Sequence, residues 1–170
     1  ATTEIYTLSL HDALPILTDV EERHVTTPYG DPSDRIVIGS LSGMRIAFLP
    51  RHGRGHRLTP GEVPYRANIW ALKSLGVERI ISVSACGSMK EKYQPRHVVI
   101  PDQIYDNTRH RTYSFFGDGL VAHLSFAEPF CPHLRGLAAE AVRKAGGTVH
   151  EGGTFITIEG PRLSTRGESL

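Results

Sequence analysis

The chain has 170 residues, enough for a sizeable core, and a formal net charge of +1 at pH 7. That balance argues against a generally basic, nucleic-acid-coating surface, and no apolar run approaches the roughly 20 residues that a membrane-spanning helix requires. Cys86 and Cys131 lie far apart in sequence and form no metal-type pair, and no secretory leader is recognised. The expected compartment is therefore a reducing cytoplasm, with a disulfide unsupported.

The first sixteen residues, ATTEIYTLSLHDALPI, carry neither a helix nor a strand period and do not open on Met. Back-translated, they reproduce a common high-throughput sequencing adaptor read in frame; the alternative is a genuine disordered leader. Residues 1–16 are expected to be a translation artefact and are set aside from fold reasoning. Residues 17–170 are expected to be one partial domain truncated at both ends, since RGESL stops in mid-pattern.

Short β-rich runs then alternate with helical ones. RIVIGSL (35–41) and MRIAFLP (44–50) read as strands joined by a Ser42–Gly43 hairpin. PYRANIWALKSLG reads as a helix with Tyr65, Ile69 and Leu72 on its apolar stripe and Gly76 as its stop. RIISVSA (79–85) and HVVIPDQIY (97–105) are the next predicted strands. CPHLRGLAAEAVRKAGG predicts a helix opening at Pro132, with Leu134, Leu137, Ala138 and Ala141 on one face and Gly146 at its end. TFITIEG (154–160) is the last strand. The alternation predicts an α/β fold: one domain with a twisted, mixed β-sheet flanked by helices.

RHGRGH, Arg51 to His56, leaves the C-terminal end of an apolar strand, the edge of an open α/β sheet where ligands collect. A second loop, VSACGSMK, leaves a strand in the same way and offers the Ser84 hydroxyl beside small residues whose backbone N–H groups a ligand can approach closely. Arg51 and His52 with Ser84 would form a compact oxyanion cradle, since a guanidinium donates two parallel hydrogen bonds to phosphate. Three other readings stay open for the basic run. Metal binding by His52 and His56 needs a helix that two glycines oppose, amid like charges that repel a cation. Nucleic-acid binding wants a wider basic face with interleaved aromatics. A solvated charged loop needs no ligand at all.

RHGRGH, ANIWALKSLG, SACGSMKE, PDQIYDNT, AEPFCP and TIEGPRLSTRGES, in this order, resemble the methylthioadenosine phosphorylase branch of the purine nucleoside phosphorylase superfamily. The resemblance runs from Val25 to the end, and the ordered set is specific where no single motif is. It implies a nucleoside phosphorylase-like fold and attack of inorganic phosphate on C1′ of 5′-deoxy-5′-methylthioadenosine, giving adenine and 5-methylthioribose 1-phosphate in purine and methionine salvage. It implies no cofactor and no metal, phosphate being a co-substrate, and a cytoplasmic homotrimer that binds neither nucleic acid nor membrane.

By the same resemblance, Arg51, His52, Ser84 and Ala85 contact phosphate, and Ala85 also touches the ribose. Cys86 and Gly87 lie beside the purine, although Cys86 also reads as a small buried apolar residue. Glu159 faces the nucleoside, and Arg162 is structural. Leu163 stands where the family usually has a purine-stacking Phe, which puts base affinity and preference in question. Ser164 occupies a position that tunes substrate choice. His123 reaches across a subunit interface toward the neighbour's methylthio pocket; its alternative is an ordinary packing histidine. The family's Gly-rich phosphate loop would precede Val25, and its ribose-binding segment and the Asp pair that reads and protonates adenine would lie past Leu170. No general acid is therefore named, and the fragment alone is expected to be inactive. The runner-up activity is a purine nucleoside or methylthioinosine phosphorylase; outside enzymes, the alternative is a catalytically inactive nucleoside-binding homologue.

Overall fold

A computed structural model describes the backbone of residues 3–7 and, in full, residues 16–169. Its contacts gather into two compact units, residues 1–85 with 110–115 and residues 86–109 with 116–170. The α/β class matches the sequence reading. The sheet differs: the described strands fall into one five-stranded sheet and two two-stranded ladders rather than one continuous sheet.

In the first unit the five-stranded sheet has the order β2-β3-β4-β1-β5, with β1 Thr3–Thr7, β2 Thr18–Arg23, β3 Ile36–Leu41, β4 Met44–Phe48 and β5 Val77–Ser82. β3 and β4 are the expected hairpin: Leu41 faces Met44, and Ser42 and Gly43 both take positive φ, 50° and 80°, as a turn matching the strand twist requires. Alternate residues of these two strands pack on opposite faces, and both faces are covered. Ile36, Ile38, Ala47 and Leu49 join Ala71, Leu72 and Val77 in one cluster, while Val37, Ile46 and Phe48 join Leu17 in another. Burial on both sides is why these strands read as unbroken apolar runs.

β1 falls in the segment that the sequence reading gave no part in the fold. Its backbone nevertheless pairs parallel with β4 on one side and with β5 on the other, Ile5 opposite Ala47 and Ile80. Ladder hydrogen bonds come from main-chain groups, so a slot between two strands accepts an extended chain with little regard to side chains. β2 was also unforeseen. It is a polar edge strand, TDVEER, and carries no apolar alternation for a sequence reading to detect.

Helix α1 (Tyr65–Ser74) lies where expected but turns a different face inward. Ala67, Asn68, Ala71 and Leu72 are buried, whereas Tyr65 and Ile69 are 37% and 42% exposed. Asn68 is accommodated by a two-way bond with Ser33: its Oδ1 accepts from the Ser33 N–H at 2.8 Å and its Nδ2 donates to the Ser33 hydroxyl at 2.9 Å. A polar residue at a core position is thereby satisfied.

In the second unit the predicted strand over residues 97–105 is broken into β6 (Val98–Ile100) and β7 (Gln103–Asn107). Pro101 has no N–H to give a ladder, and beyond it the N–H groups of Asp102 and Gln103 turn to the carbonyl of Gly153. β6 pairs parallel with β8 (Val149–Glu151), and β7 with β9 (Thr154–Ile158). Helix α2 (Pro132–Lys144) packs on β6 and β8. It buries Ala139 and leaves Leu137 and Ala141 outward, so the expected inner face is rotated. A short helix, α3 (Arg166–Ser169), closes the described chain. No helix among the described residues is long and apolar enough to cross a membrane.

Candidate functional site

The loop after β4 is wound into consecutive turns. The Gly53 N–H donates to the Pro50 carbonyl at 2.8 Å, that of His56 to Gly53 at 3.0 Å, and that of Leu58 to His52 at 2.9 Å. Gly53 has φ +72°, a left-handed conformation that favours glycine, and a Cβ there, 2.8 Å from the Arg57 Nε, would push the Arg57 side chain aside.

This winding sorts the basic charges. Arg54 is consumed by carboxylates: its Nη2 donates to Glu22 at 2.6 Å and its backbone N–H to Asp34 at 2.7 Å. Arg57 donates to the Ser33 carbonyl at 2.6 Å. Arg51 instead points to the other predicted loop, its Nη1 donating to the Ser84 hydroxyl at 3.1 Å. Much of the positive charge in RHGRGHR therefore organises the loop, and one guanidinium is brought to the expected hydroxyl. Ser84 and Ala85 are exposed just beyond β5, in the same unit.

The His52 Nδ1 lies 2.8 Å from the Leu58 carbonyl. A carbonyl only accepts, so Nδ1 carries a proton and Nε2 is the position left for a ligand. The His56 ring stacks on that of His52, centroids 4.3 Å apart and planes 17° from parallel. The two imidazoles meet face to face instead of converging their nitrogens, a poor geometry for chelation.

The remaining predicted site residues belong to the second unit. Cys86 and Gly87 open it, both exposed. Glu159 follows β9 and accepts from the backbone N–H of Arg109 at 2.5 Å. Arg162 forms a fork with Glu168, its two terminal nitrogens each 2.7 Å from one carboxylate oxygen. That fork, with the Thr165 N–H, pulls the Glu168 carboxyl down to about 2. Glu159, Arg162 and Glu168 line a cavity of about 230 Å³ together with Asn107, Arg109 and Ile158. Leu163 is 88% exposed, and the Ser164 hydroxyl lies 2.9 Å from that of Ser169. His123 sits in an exposed stretch without regular structure, beside exposed Val121, Leu124 and Phe126.

Sequence reasoning passed over Arg109 and Glu168. For Glu168 a signal existed: Thr165 to Glu168 is a capping box, the Thr165 N–H donating to the Glu168 carboxylate at 2.7 Å and the Glu168 N–H to the Thr165 hydroxyl at 3.3 Å.

A guanidinium and a hydroxyl in hydrogen-bond contact, with a histidine next in sequence to the first, thus lie at the strand ends of an α/β sheet, groups of a kind that can take an anion. The chain belongs to the phosphorylase superfamily, whose profile matches residues 9–170. It is 57% identical over 158 residues to an S-methyl-5′-thioadenosine phosphorylase of Chloroflexus aurantiacus, covering 92% of this chain and 55% of that protein. It is 58% identical over 154 residues to one of Geobacter sulfurreducens, covering 90% and 54%. A methylthioadenosine phosphorylase from an antarctic soil metagenomic library superposes with a TM-score of 0.93 at 50% identity, covering 99% of this chain and 59% of that one. The chain thus spans about half the length of the curated relatives it matches.

Proposed function

We propose that the full-length protein catalyses phosphorolysis of 5′-deoxy-5′-methylthioadenosine. One phosphate oxygen forms a bond to C1′ as the C1′–N9 bond breaks; the ribosyl carbon leaves as 5-methylthioribose 1-phosphate, and a proton joins the departing adenine. The observation that carries this reading is the Arg51 to Ser84 contact at 3.1 Å, a fork donor and a hydroxyl held together where phosphate would sit. The names of the relatives supply the nucleoside and favour adenine over a 6-oxopurine.

In this mechanism Arg51 and the Ser84 and Ala85 loop orient phosphate by charge-assisted hydrogen bonds. With its Nδ1 proton committed to Leu58, His52 donates from Nε2 only as an imidazolium; as a neutral ring it accepts from a protonated phosphate oxygen. As the base departs, the sugar becomes cation-like, so phosphate acts as nucleophile and counter-charge, and positioning with electrostatics supplies most of the rate. Cys86, Gly87, Glu159, Leu163 and Ser164 are assigned to the nucleoside. His123 is assigned to a neighbouring subunit's methylthio pocket, in a homotrimer acting in purine and methionine salvage in the cytoplasm. The proposed reaction uses no metal or organic cofactor.

The experiment is a direct one. Adenine release by the full-length protein should require inorganic phosphate and should yield the sugar phosphate in equal amount. Release without phosphate, or none from the methylthio nucleoside while inosine is cleaved, would replace this reading.

A further inference from the structure

The loop after β4 holds a second histidine that the proposed reaction does not use. His56 is exposed, and its ring forms no hydrogen bond among the described residues. It lies instead on the ring of His52, face to face, with centroids 4.3 Å apart and planes 17° from parallel. The two residues are four apart in sequence, yet no helix spaces them, since residues 51–56 run in turns. The backbone of His56 closes the last of these turns: it takes a left-handed φ of +54° and donates its N–H to the Gly53 carbonyl at 3.0 Å. Only a few per cent of residues other than glycine adopt that conformation.

His52 is already tied at one edge. Its Nδ1 donates to the Leu58 carbonyl at 2.8 Å, and its own carbonyl accepts from the Leu58 N–H at 2.9 Å. One hydrogen bond sets where an imidazole edge points but leaves the ring free to tilt about that bond. A second ring laid flat on its face removes the tilt. Together the two contacts set the direction and the plane of the His52 ring, and with them the direction of Nε2. A group that must meet an oxyanion gains from such support, because misplacing it by about 1 Å can cost on the order of a hundredfold in rate.

We propose that His56 is a positioning residue for phosphorolysis: by stacking on His52 it holds the plane of that imidazole, so that Nε2 meets phosphate in one orientation. The inference rests on the reading of His52 as a phosphate contact, and it gives His56 no contact of its own with phosphate or nucleoside. The flat ring of His56 performs this role, not its nitrogens.

Steady-state kinetics of the full-length protein test it in His56→Asn, His56→Phe, His52→Ala and the double variant that combines His52→Ala with His56→Asn. Asparagine tolerates left-handed backbone and removes the ring, whereas phenylalanine keeps a ring without nitrogens. His56→Asn should raise the KM for phosphate about tenfold and leave that for nucleoside within about twofold, and His56→Phe should recover most of the loss. In the double variant the His56 change should add nothing to the cost of His52→Ala, because a residue acting through another has no effect once its partner is gone. Additive costs, or a folded His56→Phe variant as impaired as His56→Asn, overturn the proposal. Carbon relaxation at the His52 ring reads the same role without turnover. Its Cε1 should be ordered in the wild type and more mobile in His56→Asn; equal order in the two overturns the proposal even where His56→Phe fails to fold. An unchanged phosphate KM in His52→Ala faults the cradle reading and this inference with it. A raised KM in His52→Ala with none in His56→Asn leaves the cradle standing and removes His56 from it.

Discussion

Arg51 and Ser84, 33 residues apart in sequence, meet through a 3.1 Å hydrogen bond that ties the loop after β4 to the loop after β5. Arg54 and Arg57, in the same run, are bound to Glu22, Asp34 and the Ser33 carbonyl instead. Of the three arginines in that run, Arg51 is the one bonded to the second loop.

Arg51→Ala in the full-length protein is expected to raise the KM for phosphate by about 10- to 100-fold, since a hydrogen bond to a charged group contributes roughly 1.5–3 kcal/mol. The KM for nucleoside should move far less. Initial rates at varied phosphate check this; a collapse of nucleoside affinity with phosphate unaffected would mean that the cradle is misassigned.

Asn68→Ala is expected to destabilise the fold by about 1–3 kcal/mol, because it leaves the buried Ser33 N–H without its acceptor. Ser33→Ala keeps that N–H and loses only the hydroxyl, which the Asn68 amide bonds, so it should cost less. Urea unfolding of the two variants ranks them, and equal costs would show that the side-chain pair, not the backbone bond, carries the stability.

Leu163→Phe should restore an aromatic surface for the purine. Ring pairing adds roughly 0.5–1.5 kcal/mol beyond area burial, so nucleoside binding is expected to tighten by up to about tenfold. Weaker binding by calorimetry would indicate a pocket rebuilt around leucine.

Glu168 is held at about 2 in the folded chain against an ordinary value of 4.5, the Arg162 fork being the main cause. Its contribution is therefore complete above about pH 4.5 and is lost as pH falls toward and through 2. Carboxyl NMR should show its midpoint near the low value and moving upward in Arg162→Gln. A midpoint unchanged by that substitution would remove the fork as the cause.

Mixing full-length Arg51→Ala with full-length His123→Ala should regenerate some intact sites if each site draws on two subunits. Strictly additive activity after demonstrated subunit exchange would return His123 to a packing role.

Much of the fold was legible because it is written in short-range rules. Ser42 and Gly43 accept positive φ, so the hairpin follows; Pro132 and Gly146 bracket α2; apolar runs mark β3 and β4. Other features escaped for physical reasons. β2 is a polar edge strand, β1 is recruited by main-chain pairing, and Pro101 breaks one predicted strand into two.

By itself the sequence determined which residue types stand at strand ends, and with them the Arg51, His52 and Ser84 candidates and the family's ordered motifs. Only the tertiary structure decided which arginine reaches Ser84, which face of α1 turns inward and what satisfies Asn68. Those outcomes depend on partners 20 to 35 residues away. A charged or polar group settles on whichever unmet donor or acceptor the packed chain brings within about 3 Å, and local sequence does not encode that distance.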